Sequence, residues 1–345
     1  MHWFGLVFRG LYAIVLVTLR RWFHGRKHPN WRWRTEVAAE ILRNELGRHT
    51  HQPLPQVRSL IPNSPVHPRL HRRLSRRKSV CADRQVEIFT PNGWTEKGTT
   101  VLYLHGGGYV VCGPRTHRDL IARVAVATQA RCIAPVYSLA PEAPCPQAVE
   151  EMVELVKALL RDGLDPARLV FAGDSAGGGL ALSTMIRLRE SGVTLPAAAI
   201  LLSPWLDLTC TGESIDRNGH LDYLQRPILE HYSKAYLQDT PADHPLASPL
   251  HADLQGLPPL LLFPGDIEAF HSESLAFAER AQAADVELTL VIGEGMIHVW
   301  PAFASLIPEA RSAFAEMARF LDTQRIARRS VHSELIDNRQ GSVAA

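Results

Sequence analysis

The stretch FAGDSAGGG, residues 171–179, sets one hydroxyl, that of Ser175, among residues with almost no side chains, directly after the apolar run Leu169-Val170-Phe171. A strand ending at Ala172 and a helix beginning near Gly177 must turn within a few residues. Gly-x-Ser-x-Gly, here Gly173 to Gly177, permits the sharp, strained turn that holds a serine hydroxyl above the end of a sheet. A Cβ at either glycine would collide with the neighbouring strand or helix, so the glycines are read as a steric requirement of the turn.

Outward from this turn the pattern is regular. TTVLYLHGGG reads as a buried strand running into glycines, HRDLIARVAVATQA as a helix, RCIAPVYSLA as a strand, AVEEMVELVKALLRDG as a helix and ARLVFAGDS as the strand before Ser175. GLALSTMIRLRESG and PAAAILLSPW continue as helix and strand. Strands alternating with helices predict an α/β fold on a parallel, doubly wound sheet. Residues 207–256 interrupt the alternation with polar, Pro-rich sequence, which predicts an insertion over the strand ends. The alternation resumes with PPLLLFPGD, SLAFAERAQAAD, VELTLVIG and a helix over 311–329. Upstream, Val86-Glu87-Ile88-Phe89 and the turn signal Pro91-Asn92-Gly93 predict strands and a hairpin, and HRRLSRRKSV (71–80) reads as a solvated charge run. Prolines at 53, 55, 62, 65 and 68 exclude a regular helix from 49 to 68. The chain thus divides into a basic leader (1–46), a linker or lid arm, a core (85–329) interrupted by the insertion, and a tail (330–345) expected to be disordered.

A second glycine run, YLHGGGYV (103–110), follows a strand. Acyl transfer develops negative charge on a carbonyl oxygen, and preorganised backbone N–H donors stabilise it by about 3 kcal/mol each. Gly107 and Gly108, with the N–H of Ala176, are assigned to that oxyanion hole, and His105 is expected to brace the loop through its ring. A serine hydroxyl needs a base, and the base an orienting acid. His298, in GEGMIHVWPAF after a late strand, stands where the base of such a sheet belongs. PPLLLFPGDIEAF offers two carboxylates beyond a strand end, Asp266 and Glu268, either of which could reach His298. Five cysteines without a CxxC pair or a histidine at ligand spacing predict neither a disulfide framework nor a metal site, and suit a reducing compartment.

With these residues in place, the chain resembles the hormone-sensitive-lipase-like family of α/β-hydrolases over roughly residues 85–325. HGGGYV matches that family's His-Gly-Gly-Gly-aromatic loop, GDSAGG (173–178) its nucleophile motif, YSLAPEAPCPQAVEE is similar to its Tyr-Arg-Leu-Ala-Pro-Glu segment, and SPWLDLT matches the strand end after the nucleophile. The resemblance implies the α/β-hydrolase fold with a helical cap, made of an N-terminal cap arm (47–84) and a cap insertion (208–256), a serine carboxylesterase for esters of short or medium acyl chain, and no cofactor. It also places Glu268 at the family's usual acid position, preferring it to Asp266. Ser138 departs from the family's arginine, which is expected to remove one buried charge and its partner. The rival reading is a small-molecule-binding receptor on the same fold, in which the catalytic histidine is lost; a deacetylase acting on amides or steryl acetates is the other alternative.

The net charge of +2 hides an asymmetry, because residues 1–80 hold 16 Lys and Arg against 3 Asp and Glu. MHWFGLVFRGLYAIVLVTLRRWFHGRKHPNWRWR mixes Trp with Lys and Arg, as a headgroup layer accommodates. The expectation is a membrane surface as partner rather than a nucleic acid, with the leader lying in the interface or spanning once from Trp3 to Leu19. Either would place the enzyme on the cytoplasmic side of a membrane; a soluble cytoplasmic protein is the alternative. An edge strand of the sheet offers a homodimer contact.

Overall fold

The computed structural model describes residues 2–50 and 52–325. Its centre is one eight-stranded sheet: β1 (Leu74–Cys81), β2 (Arg84–Pro91), β3 (Thr100–Leu104), β4 (Arg131–Pro135), β5 (Leu169–Asp174), β6 (Ala198–Leu202), β7 (Leu260–Phe263) and β8 (Leu288–Leu290). The order is β1-β2-β4-β3-β5-β6-β7-β8. β1 and β2 form an antiparallel hairpin and β2 joins β4 antiparallel, while the six strands from β4 to β8 run parallel. Every residue of β3, β5, β6 and β7 is buried, as expected of parallel strands covered on both faces.

The helices are α1 (His2–His24), α2 (Trp33–His49), α3 (Leu54–Leu60), α4 (Pro68–His71), α5 (Pro114–Thr128), α6 (Gln147–Arg161), α7 (Ala176–Glu190), α8 (Glu213–Arg217), α9 (Arg226–Leu237) and α10 (His271–Ala283), followed by a helix over 312–325. The two-residue period of the strands divides the core. Leu102, Leu104 and Phe171 pack with Leu155 of α6, Leu182 of α7 and Phe277 of α10, whereas Val101, Tyr103 and Val170 pack with Ile121 of α5 and with Phe314 and Met317 of the last helix.

The sequence reading departs from this fold at several points: α3 forms within the stretch from which the prolines were expected to exclude a regular helix, and Pro91-Asn92-Gly93 closes no hairpin, since β2 pairs with β1 and β4. The charge run 71–80 is not simply a solvated face, because most of it is β1, the edge strand of the sheet. Its Arg and Lys side chains point outward and Arg76 pairs with Glu87 at 3.0 Å, so the charges also guard a bare strand edge. The stretch from Trp3 to Leu19, read as a possible membrane span, falls within α1. Among the described residues no helix is long and apolar enough to cross a membrane. Instead Ala13 and Val17 of α1 are buried, and Arg20 and Arg21 both reach Glu36 of α2. The leader also touches the core: Trp31 is buried and its indole N–H donates to the Gly295 carbonyl at 2.7 Å, in the loop that carries His298. The tail from Ser330 lies outside the described residues.

Candidate active site

Ser175 sits between β5 and α7 with φ +53° and ψ −127°, a conformation that only a tightly constrained turn imposes on a non-glycine residue. Its N–H donates to the Leu202 carbonyl at 2.9 Å, and its own carbonyl receives the N–H groups of Gly178 and Trp205 at 2.9 Å each. The glycines around it are required by backbone contacts. A Cβ on Gly173 would stand 2.3 Å from the Gly177 carbonyl oxygen, and one on Gly177 would stand 2.1 Å from that of Leu104.

The 103–110 loop lies beside this turn. Gly107 and Gly108 have φ of +119° and +60°, and their N–H groups have no acceptor among the described residues. Ala176 is the first residue of α7, so its N–H has no intrahelical acceptor either. His105 is buried, stacks on Tyr137 at 4.2 Å, and brings Nδ1 to 2.8 Å from the Gly106 carbonyl; burial, against weaker opposing contacts, pushes its pKa down to about 3, which keeps the ring neutral. Beneath the loop, Asp174 accepts from the Tyr103 hydroxyl at 2.7 Å and lies 3.1 Å from His117 Nε2. Burial alone would raise the pKa of Asp174, but the His117 ring and the Tyr103 hydroxyl bring it below the usual carboxylate range; His117 rises in turn, because Asp174 outweighs the burial that would lower it.

Ser175, Gly107, Gly108 and His298 line one cavity of about 550 Å³ whose walls are mainly apolar, including Leu46 of α2, Val57 and Leu60 of α3, Leu229 of α9, and Phe270. Both the N-terminal helices and the insertion therefore contribute to its walls. The His298 ring packs edge-on against Phe270 at 4.9 Å; burial lowers its pKa to about 3, which keeps the ring neutral.

The two carboxylates expected beyond β7 take different places. Asp266 Oδ1 accepts from the N–H groups of Gly295 at 2.7 Å and Met296 at 3.3 Å, which ties its loop to the histidine loop. Glu268 is fully buried, with Oε2 accepting from the Ser203 hydroxyl at 2.6 Å and the Gly265 N–H at 2.9 Å. Desolvation outweighs these two bonds and pushes its pKa well above the ordinary value. Glu268 Oε1 and His298 Nδ1 are both buried and without a partner among the described residues.

Two of these neighbours were not legible in the sequence. Ser203 also accepts the Val299 N–H at 2.9 Å, so it joins the Glu268 side chain to the residue after His298. Asp222, in the insertion, accepts the His298 N–H at 3.1 Å. The expected consequence of Ser138 is only half met. Ser138 supplies no cation, but Glu151 remains buried, receives the Ser138 N–H and hydroxyl at 2.9 and 2.6 Å, and pairs with Arg84 at 2.9 Å. The guanidinium comes from β2, about fifty positions upstream of Ser138, where no local pattern announces it.

A family profile for the alpha/beta hydrolase fold matches residues 101–302. The chain is 41% identical over 229 residues to an acetyl-hydrolase of Streptomyces hygroscopicus, covering 66% of this chain and 77% of that protein. It is 38% identical over 223 residues to an esterase of Acinetobacter venetianus, covering 64% and 73%. A crystal structure of an esterase from the bacterial hormone-sensitive lipase family superposes with a TM-score of 0.72 at 34% identity, covering 92% of this chain and 98% of that one. The chain belongs to the α/β-hydrolase family, in its hormone-sensitive-lipase branch. This hydrolase acts on carboxylic esters. In the hydrolase the reading as a binding protein that has lost its histidine finds no support, since His298 stands in the same cavity as Ser175.

Proposed function

We propose that the hydrolase cleaves short- to medium-chain acyl esters through Ser175, His298 and Glu268. The observation that carries this reading is the meeting of Ser175, His298, Gly107 and Gly108 in one apolar cavity, with Glu268 buried behind the histidine loop. Ser175 Oγ attacks the ester carbonyl carbon while its proton passes to the His298 ring, and the carbonyl oxygen takes the negative charge within reach of the N–H groups of Gly107, Gly108 and Ala176. The protonated ring returns the proton to the departing alkoxide as the C–O bond breaks, leaving an acyl-serine and an alcohol. Water, deprotonated by His298, then releases the acid. Glu268 orients the ring and offsets its charge; the buried, partnerless Oε1 and Nδ1 support this pairing, since buried polar atoms rarely stay unsatisfied.

The test is hydrolysis of p-nitrophenyl esters from acetate to palmitate by the full chain, with Ser175→Ala alongside. Each methylene buried in the cavity contributes about 0.8 kcal/mol, so kcat/KM is expected to rise by up to about fourfold per methylene until the cavity is filled, then to fall. Wild-type turnover in Ser175→Ala would refute the scheme.

We further propose that α1 seats the enzyme on an anionic lipid surface. Leu11, Tyr12, Val15, Leu19, Trp22 and Phe23 are exposed, and at 100° per residue they fall within an arc of roughly 120°. Ala13 and Val17 on another side of the helix are buried, and the exposed face has no partner among the described residues. Trp33 lies beside it, its indole donating to Thr18 at 3.1 Å, with Arg26 and Arg34 exposed nearby. Apolar and aromatic groups bordered by cations suit the acyl and headgroup layers of such a surface. Flotation of the full chain with phosphatidylglycerol vesicles should be strong, and weak for Trp22→Asp/Phe23→Asp. Equal flotation of both proteins, or a dimer that the double variant dissolves without any vesicle binding in the parent, would refute it.

A further inference from the structure

Asp222 lies in the insertion between α8 and α9, is completely buried, and makes no ion pair among the described residues. Its Oδ1 accepts the N–H groups of Tyr223 at 2.8 Å and His298 at 3.1 Å, and its Oδ2 accepts the N–H of Ala269, next to Glu268, at 2.8 Å. The neighbouring residues complete the hold. Asn218 donates from its amide to the Glu268 carbonyl at 2.9 Å, and the Tyr223 hydroxyl donates to the His298 carbonyl at 3.1 Å. Both peptide groups of His298 are thus fixed by consecutive residues of the cap. Arg43 of α2 donates to the Asp222 main-chain carbonyl at 2.6 Å, so the N-terminal arm braces the same turn.

We propose that Asp222 is a positioning residue for ester hydrolysis, its carboxylate joining the backbone of His298 to that of Ala269 and so setting the spacing between base and acid. This rests on the reading of Ser175, His298 and Glu268 as the reacting groups. Cap and core are then coupled at the base: a cap that shifts carries the His298 peptide with it. A packing role alone would be filled without a buried charge, whose desolvation is costly. Here desolvation outweighs the three N–H bonds and the Arg43 charge and raises the Asp222 pKa to about 6. The titratable and charged groups that act on it are Arg43 from α2, Tyr223 on its own segment and Glu268, with His298 bonded to it through its N–H.

The experiment measures kcat and KM per active site for p-nitrophenyl butyrate from pH 5 to 9, with sites counted by fluorophosphonate titration, in wild type, Asp222→Asn, Arg43→Met and Ser175→Ala. Asp222→Asn is expected to lower kcat per titrated site by tenfold or more with KM within about twofold. Its acid limb should move to lower pH, because the variant removes both a group that takes up a proton and a negative charge that raises Glu268. Arg43→Met should move the limb to higher pH, since the cation that favours the Asp222 carboxylate is gone. A merely structural Asp222 would give fewer titrated sites with unchanged kcat per site and an unmoved limb, which overturns the proposal. If Asp222→Asn does not fold, the Arg43→Met limb decides, and an unmoved limb there overturns it equally. Turnover in Ser175→Ala would instead remove the reading beneath it.

Discussion

Replacing Ser203 with alanine should weaken both the fold and the catalysis, with a pH signature that separates the two. Ser203 is fully buried at the end of β6, donates to Glu268 Oε2 at 2.6 Å, and receives the Val299 N–H at 2.9 Å. A hydrogen bond to a charged group contributes about 1.5–3 kcal/mol, and a buried N–H left without its acceptor costs about 1–3 kcal/mol. Partial relaxation around the small cavity makes about 3 kcal/mol a reasonable net loss. That corresponds to a fall in Tm of roughly 4 °C. The sign with pH follows from Glu268. Its folded pKa is raised, chiefly by desolvation and against the Ser203 bond, so its contribution to stability is present at low pH and is lost as pH rises through the folded pKa. Without Ser203 the ionised carboxylate loses a donor and the pKa goes higher still. The stability deficit of Ser203→Ala should therefore be larger at pH 9 than at pH 5, and the acid limb of kcat should move to higher pH. Thermal melts by circular dichroism at the two pH values and a pH series on p-nitrophenyl butyrate are the assays. An equal Tm deficit at both pH values with an unmoved limb would show that Ser203 serves packing alone and refute the link to Glu268.

Two further outcomes are expected. Glu268→Gln should lower kcat by about four orders of magnitude, as loss of an orienting carboxylate does elsewhere, whereas Asp266→Asn should stay within about tenfold of wild type because Asp266 serves two backbone N–H groups; steady-state kinetics on both variants check this, and the reverse ranking would exchange their roles. Gly177→Ala should destabilise the fold by at least about 1–3 kcal/mol, since its Cβ would meet the main-chain oxygens of Leu104 and His105 at 2.1 and 2.5 Å, while Gly113→Ala, with nothing within 4 Å, should stay within about 0.5 kcal/mol; urea melts of both variants give the comparison.

The alternation of strands and helices, the Ser175 turn and the Gly107-Gly108 loop were all legible in the sequence, because each is a local demand on the chain. Burial on both faces makes parallel strands uniformly apolar, and a turn that brings backbone within touching distance of backbone admits only glycine. His298 could be placed by its order after a late strand. Between Asp266 and Glu268 the residues alone gave no decision, since both follow the same strand, and the structure distinguishes their surroundings only through Ser203 and the Gly265 N–H on one side and the Gly295 loop on the other. Arg84 as the partner of Glu151, Trp31 seated on the histidine loop and Asp222 holding two N–H groups were beyond the sequence. Asp222 reaches across 47 and 76 positions to main-chain donors that every residue but proline carries, so no residue type or spacing marks the contact. What the sequence determined by itself was the parallel part of the sheet and the two glycine turns, whose causes lie within a few residues; which polar groups hold His298 and Glu268 in place was decided by the tertiary packing, which alone brings insertion, leader and strand ends together.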